Sequence, residues 1–214
     1  MRRRRRAPCY IFEGTWWANR EVPQVLPYLQ ALHASDGRLD LSHRTFRCAD
    51  DLAYWLSKIP KTERSFVYVA CHARDGNLYP ADGRSAVPLE KVCDALGAAK
   101  PGAIEFLHFG SCEIVDSRNR RGSLQSLADA SRARWVSGYV NDVYWLPSML
   151  LDLALVGELF VPFYRETRSR RPQLKARAQW FLRSYKQLAR ELGFSGLARH
   201  LAGVDALIPG RLRA

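Results

Sequence analysis

Two short apolar runs, each ending at a reactive side chain, stand out in the pattern of hydrophobic and polar positions. They are 66–72 (FVYVACH) and 104–112 (IEFLHFGSC). Both are rich in β-branched and aromatic residues and are bounded by turn-forming residues, which predicts buried strands. The stretch 88–97 between them is typical of a helix. A strand, a helix and a strand in this order predict parallel pairing of the two strands.

The rest of the pattern alternates strands with helices. It predicts further strands at 9–14, 43–48 and 133–140, and further helices at 22–33, 50–59, 123–131 and 145–160, with Ser123 as a helix cap. The last of these helices is apolar almost all round, which is typical of a buried helix. We therefore expect an α/β three-layer sandwich with a mainly parallel sheet.

The chain of 214 residues is long enough for one domain with an appendage. We expect a basic N-terminal arm over 1–8 and the main domain over 9–165. A C-terminal helical extension packed on the domain is expected over 166–214. It contains an amphipathic helix at 173–192, whose apolar and basic positions fall on different faces.

The charge is strongly positive, with 33 basic against 21 acidic residues and a formal net charge of +12. Such a chain attracts nucleic acid, anionic lipid or an acidic partner. The excess is concentrated in Arg2–Arg6 and after Glu166, and charge runs of this kind are more often solvated than binding sites. Any contact with nucleic acid is therefore expected through the basic surface only.

The cysteine content argues against two classes of small protein. Five cysteines without framework spacing do not predict a disulfide scaffold, and the sequence has no CxxC pair, which argues against a structural zinc site. We expect no metal and no cofactor.

Arg2–Arg6 is not followed by the apolar segment of a signal peptide, and no stretch reaches the roughly 18 apolar residues of a membrane span. We therefore expect a cytoplasmic protein.

We expect the reactive site at the ends of the two central strands. If these strands are neighbours, His72 and Cys112 emerge together at the carboxyl edge of the sheet, where open α/β sheets place their ligands. An imidazole beside a thiol forms a nucleophile with its base. The backbone N–H of Cys112 and that of Ala73 or Arg74 are candidate donors to the oxyanion that thiolate attack on a carbonyl creates.

Each of these residue types has a structural alternative. A lone cysteine is more often a buried small hydrophobe than a nucleophile, and we interpret Cys9, Cys48, Cys71 and Cys93 in that way. His108 falls in the middle of a predicted strand, and we interpret it as structural.

The sequence resembles the caspase-like cysteine peptidases, a group that includes caspases, metacaspases, separases and bacterial CHAT-domain proteases. Residues 67–72 are similar to the histidine block of the CHAT proteases, and 106–112 to their cysteine block. Residues 135–139, followed by Trp145 and Ser148, resemble the later strand and helix of the same group. The resemblance covers about residues 9–160.

The resemblance implies a bacterial cysteine endopeptidase that cleaves a protein substrate through a dyad of Cys112 and His72. Bacterial relatives of this type often act in antiviral defence or regulated cell death. We expect no sensor domain within these residues, so the resemblance also implies a regulatory or activating protein partner. The sequence departs from the group at Ala73, where a glycine is usual, and at Gly110, where metacaspases carry an aspartate.

The resemblance also implies where the specificity pocket lies, between the loops after the first, fourth and fifth strands. Glu13, Glu113, Asp116 and Asp142 fall in or near these loops, and we assign Glu13, Asp116 and Asp142 to substrate binding. Acidic residues there favour a basic substrate side chain over an acidic one. The alternative for Asp142 is a cap on the helix that begins near Trp145.

Two other functions remain open from the sequence. One is an inactive caspase-like scaffold that serves as a basic adaptor or nucleic-acid-associated module, which predicts salt-sensitive binding. The other is a different Cys–His acyl-transfer enzyme on a similar sheet.

Overall fold

The computed structural model describes residues 6–16, 24–81, 85–165, 174–200 and 203–207. Most of the predicted basic arm at 1–8 therefore lies outside the described residues. The strands are β1 (Ala7–Glu13), β2 (Leu39–Thr45), β3 (Ser65–Ala70), β4 (His72–Arg74), β5 (Asn77–Tyr79), β6 (Ile104–Phe109), β7 (Trp135–Tyr139), β8 (Phe194–His200) and β9 (Gly203–Leu207). The helices are α1 (Leu26–Asp36), α2 (Ala49–Ser57), α3 (Leu89–Gly97), α4 (Arg120–Ser131), α5 (Trp145–Ala154), α6 (Val161–Arg165), α7 (Leu174–Ser184) and α8 (Lys186–Glu191), with a π-helical turn (Leu155–Phe160) between α5 and α6.

The main sheet has the strand order β2-β1-β3-β6-β7-β8-β9. Its neighbours from β2 to β7 pair in parallel, and β8 and β9 continue the sheet antiparallel. The two strands that precede the reactive residues, β3 and β6, are neighbours. The expected α/β three-layer sandwich with a mainly parallel sheet is confirmed.

Two apolar cores form because successive strand residues face opposite sides of the sheet. On β3, Phe66 and Tyr68 belong to the core under α1, α5 and α7, whereas Val67 and Val69 belong to the core under α2, α3 and α4. All of β3 and β6 is buried. This explains why both strands are nearly continuous apolar runs and not alternating ones.

Several element boundaries differ from those predicted. The helix expected at 22–33 begins at Leu26 and ends at Asp36, and the strand expected at 43–48 runs over Leu39–Thr45. Ser123 lies inside α4 and is not its cap. The cap is Asn119, whose side chain accepts a hydrogen bond from the N–H of Gly122 at 3.1 Å.

The predicted C-terminal helical extension also carries two strands of the main sheet. Its amphipathic helix is present as α7 and α8, which are separated at Tyr185. The sequence did not predict β8 and β9. β8 pairs with β7 from Trp135↔Ala198 to Tyr139↔Phe194, so this part of the chain completes one side of the sheet.

The apolar helical stretch beginning at Trp145 is longer than the sequence pattern indicated. Within the described residues, Trp145–Tyr164 is the one helix long and apolar enough to cross a membrane by length and composition, with 20 residues and a mean hydropathy of 1.6. Half of its most apolar window is buried inside the fold, as in a core helix. Its first turns form one wall of the site described next.

Candidate active site

The two reactive side chains follow directly from neighbouring strand ends. β3 ends at Ala70 and β6 at Phe109, and the N–H of Gly110 donates to the carbonyl of Val69 at 3.0 Å. The hydroxyl of Ser111 accepts a hydrogen bond from the N–H of Cys71 at 3.2 Å, which joins the two chain segments beyond the strands. His72 and Cys112 come next in each segment.

His72 and Cys112 line the same cavity, which has a volume of about 90 Å³. Its other lining residues are mostly apolar and come from β3, from α5 and from the segments after β1, β6 and β7: Trp16, Val25, Tyr68, Gly110, Val143, Trp145, Ser148 and Met149. Both reactive side chains are half-buried. The cavity therefore brings a thiol and an imidazole into one small, largely apolar space.

The imidazole of His72 is fixed by Trp16. His72 opens the short hairpin of β4 and β5, and its ring hydrogen-bonds the backbone of Trp16. The two rings meet edge-on with centroids 5.5 Å apart. Trp16 is itself held, because its indole N–H donates to Glu13 Oε1 at 2.8 Å and its ring contacts that of Trp145 at 4.7 Å.

The thiol of Cys112 is held by the loop that follows β7. The N–H of Val143 donates to Cys112 Sγ at 3.4 Å, and the carbonyl of Val143 lies 3.9 Å from the same sulfur. Burial raises the pKa of Cys112 and the contact with the Val143 backbone opposes that effect, while the charges of Asp142 and Glu113 raise the pKa further.

Burial lowers the pKa of His72, and its hydrogen bond to the Trp16 backbone opposes the decrease. The raised pKa of the Cys112 thiol and the lowered pKa of the His72 imidazole both favour the neutral forms of these two groups. Such a pair suits general-base chemistry, in which the imidazole accepts the thiol proton during the attack.

The register of the β4–β5 hairpin turns the N–H of Ala73 away from β5. Leu78, which pairs with Ala73, exchanges both of its backbone hydrogen bonds with Val87, at 2.9 and 2.7 Å. In an antiparallel ladder, opposite residues either bond each other twice or not at all. The N–H of Ala73 therefore points away from β5. The N–H of Cys112 lies beside its own sulfur.

Gly110 stands in the turn before Cys112 because Tyr68 occupies the space that a side chain would need. A Cβ at this position would overlap the hydroxyl of Tyr68 and lie 2.6 Å from its Cζ. Tyr68 cannot swing away easily, since its hydroxyl donates to Asp152 Oδ2 at 2.5 Å in the core. This gives a physical reason for glycine at the position where metacaspases carry aspartate.

The three residues assigned to substrate binding lie in different surroundings. Glu13 is 3% exposed, and its carboxylate accepts from Trp16 and the N–H of Val25 and contacts His43 Nε2 at 2.9 Å. Its oxygens are thus occupied within the protein. Asp116 lines a separate cavity of about 660 Å³.

Asp142 is next to Val143, whose backbone contacts the Cys112 sulfur. It is exposed, it precedes Val143, and its charge acts on Cys112. It does not cap the following helix, because the residue at the N-cap position of α5 is Tyr144 and no side chain caps that end. Of the three residues assigned to substrate binding, Asp142 is therefore the best placed to meet a group bound at the thiol.

The other cysteines have separate environments. Cys9 and Cys71 are fully buried, and burial raises the pKa of each to about 12. Cys93 is half-buried, and burial also raises its pKa. Cys48 is exposed at the N-terminus of α2, so its interpretation as a buried hydrophobe is wrong.

A buried polar network beneath the cavity was not identified from the sequence. Asp152, which is 3% exposed, accepts hydrogen bonds from Tyr68 and Tyr139, each at 2.5 Å, and its Oδ1 lies 2.6 Å from Nε2 of His108. The second ring nitrogen of His108 lies 2.8 Å from the hydroxyl of Ser137. The network links β3, β6, β7 and α5, and it accounts for His108 as a structural residue. An aspartate in an otherwise apolar helix was the signal available, because buried carboxylates need partners.

Comparisons with known proteins do not identify the function of this chain. No protein-family model and no curated protein matches the sequence. Among solved structures, the chain is similar to caspase-1 from Spodoptera frugiperda, with a TM-score of 0.38 and 12% identity, covering 72% of this chain and 71% of that chain. It is also similar to a structure of a variant of SPT with PLP, with a TM-score of 0.31 and 13% identity, covering 63% of this chain and 29% of that chain. Because these likenesses are low and point to different kinds of protein, the assignment of function depends on the cavity.

Proposed function

We propose that this chain is a caspase-like cysteine endopeptidase that cleaves a protein substrate through a dyad of Cys112 and His72. The supporting observation is that these two side chains, which come from separate strand ends, line one cavity. The resemblance of the residues around them to the histidine and cysteine blocks of caspase-like peptidases supports the same function. The fold alone is not evidence for this function, because one fold serves many activities.

The proposed reaction begins with attack by the Cys112 sulfur on the carbonyl carbon of the scissile peptide bond. A C–S bond forms, the thiol proton passes to His72, and the carbonyl electron pair moves onto oxygen. The backbone N–H groups of Cys112 and Ala73 stabilise that oxyanion. The C–N bond then breaks, and the imidazolium gives its proton to the departing amine. A water molecule deprotonated by His72 hydrolyses the thioester and restores the thiol.

The proposed substrate carries a basic or polar side chain immediately before the scissile bond. Asp142 supports this preference, because its exposed carboxylate lies on the loop that holds the Cys112 sulfur. A carboxylate there attracts a guanidinium or ammonium group and repels an acidic side chain. Glu13 is omitted from this role because its oxygens are occupied by Trp16, Val25 and His43.

The biological context belongs to the proposal as well. By the same resemblance, we extend to this chain a role in antiviral defence or regulated cell death, with a partner protein that switches the peptidase on.

Covalent labelling with an acyloxymethyl-ketone peptide probe tests the proposal. We expect mass spectrometry to place the adduct on Cys112 and the Cys112→Ala variant to lose both labelling and peptide turnover. Cys48→Ala is the matched control, because it removes an exposed thiol outside the cavity and is expected to keep both. An adduct on Cys71 or Cys93 would contradict the assignment.

A positional-scanning peptide library tests the substrate preference. We expect Arg or Lys to be favoured before the scissile bond and Asp142→Asn to weaken that preference. An aspartate preference, or an unchanged profile in the variant, would remove this part of the proposal. Salt-sensitive binding of nucleic acid that persists in Cys112→Ala, without any peptide turnover, would favour the basic adaptor module instead.

A further inference from the structure

Glu113 directly follows the proposed nucleophile and has an unusual backbone. Its φ of +46° lies in the left-handed region, which costs free energy for a residue with a side chain. Residues kept in that region are usually held there by surrounding contacts. The contacts of Glu113 therefore show which parts of the protein its backbone conformation holds together.

Glu113 hydrogen-bonds two separate loops at the sheet edge. Its carbonyl accepts from the N–H of Gly76 at 2.9 Å, and its Oε2 accepts from the N–H of Asp75 at 3.3 Å. Its own N–H donates to the carbonyl of Asn141 at 3.3 Å. Glu113 thus joins the tip of the β4–β5 hairpin to the loop that carries Val143.

The hairpin needs such a contact at its tip. Its strands have only three residues each, and an isolated two-stranded hairpin is marginal in water. The other end is anchored, because Leu78 bonds Val87 and the carbonyl of Pro80 accepts from the N–H of Thr15 at 2.7 Å. At the tip, Asp75 and Gly76 both have positive φ, which turns the chain tightly between the two strands.

We propose that Glu113 is a positioning residue that clamps the hairpin tip and so fixes His72 and Ala73 relative to Cys112. Its catalytic consequence rests on the proposed peptidase function, whereas the clamp itself does not. A shift of about 1 Å in such groups costs on the order of 100-fold in rate, so a loose tip lowers turnover without removing any reacting group.

Two substitutions separate the clamp from the charge of Glu113. Glu113→Gln keeps a side-chain acceptor for the Asp75 N–H, whereas Glu113→Ala removes it. Both remove the negative charge that raises the pKa of Cys112, so this effect is common to the two variants. Any difference between them reports the hydrogen bond. Glu90→Ala is the matched control, since Glu90 is an exposed carboxylate in the same cavity as Glu113.

Amide hydrogen exchange at Asp75 and Gly76 is the first measurement. We expect protection of Asp75 to fall roughly tenfold in Glu113→Ala, the effect of about one hydrogen bond, and to be retained in Glu113→Gln and Glu90→Ala. Should Glu113→Ala fold poorly, Glu113→Gly removes the same carboxylate while tolerating the positive φ. Unchanged protection in whichever of these two variants folds would overturn the clamp.

Peptide turnover is the second measurement. We expect Glu113→Ala to lower kcat by about 10- to 100-fold with little change in KM, and Glu113→Gln to recover most of that loss. Equal loss in both variants would overturn the positioning role. If the wild-type protein is not a peptidase, no variant turns over peptide and Cys112→Ala changes nothing, while the exchange measurement still decides whether Glu113 clamps the hairpin.

Discussion

The backbone of Val143 holds the sulfur of Cys112 with both of its polar groups, the N–H at 3.4 Å and the carbonyl at 3.9 Å. A single residue of the loop after β7 therefore acts on the thiol and on any thiolate formed from it. The N–H stabilises the thiolate, while the carbonyl accepts only from the protonated thiol. The position and the ionisation of the proposed nucleophile are thus set by a loop distant from it in sequence.

Asp142, the neighbour of Val143, is predicted to suppress ionisation of the thiol. Its charge raises the pKa of Cys112, so Asp142→Asn is expected to lower that pKa and to increase the thiolate fraction at neutral pH. The pH dependence of iodoacetamide alkylation at Cys112, followed by mass spectrometry, checks this. Asp116→Asn, in the separate cavity, is the control and is expected to leave the profile in place. Alkylation that shifts equally in both variants would argue against a local effect.

The pH dependence of peptide turnover is predicted to reflect His72. The base must be neutral, and burial lowers its pKa, so the acidic limb of kcat/KM is expected below the ordinary imidazole value of about 6.5. His72→Ala is expected to lower turnover by about 10²- to 10⁴-fold. Cys71→Ala, next to it but buried on the opposite face, is expected to retain turnover. Equal losses in the two variants would contradict the assigned roles.

Gly110→Ala is predicted to disturb both stability and activity. The new Cβ would lie 2.6 Å from Cζ of Tyr68, whose hydroxyl is held by Asp152, so the turn before Cys112 has to move. We expect a loss of about 1–3 kcal/mol in the free energy of unfolding, together with slower labelling of Cys112. Gly97→Ala is the matched control, because a Cβ at that helical position meets nothing within 4 Å. Urea denaturation of both variants compares them.

Asp152→Ala is predicted to destabilise the protein by about 3–5 kcal/mol, because the hydroxyls of Tyr68 and Tyr139 and the ring of His108 lose their common partner in the core. Asp94→Ala, which removes an exposed carboxylate 3.6 Å from Lys91, is expected to cost less than about 1 kcal/mol. Similar denaturation midpoints for the two variants would show that the buried network contributes little to folding.

The sequence was sufficient to predict a strand where burial on both faces makes that strand continuously apolar. β3 and β6 were predicted on that basis, and from their parallel pairing so was the meeting of His72 and Cys112 at one edge. The two cores fix this register, since a shift of one residue would move every side chain of a strand to the other face.

The sequence was insufficient to predict elements whose structure depends on contacts with residues distant in the chain. β8 contains Gly196, Arg199 and other residues that are weak strand signals, and it forms because β7 offers an unpaired edge. The prediction of Ser123 as the cap of α4 was wrong, because Asn119 also offers a suitable oxygen and the helix begins right after it. Asp152 gave only a weak signal, since its partners come from three different strands and two of them are 84 and 44 residues away in the chain.

The β7–β8 ladder has a consequence for how the polypeptide tolerates cleavage. Hydrogen bonds along that ladder and the buried face of α7 hold the C-terminal part on the sheet, so covalent continuity between Arg165 and Leu174 is not what keeps it there. Cleavage of a single peptide bond in that interval is expected to leave a two-chain assembly that elutes with the intact protein in gel filtration. The two chains are expected to separate only under denaturing conditions. The two pieces produced separately are then expected to recombine into one sheet with the same cavity.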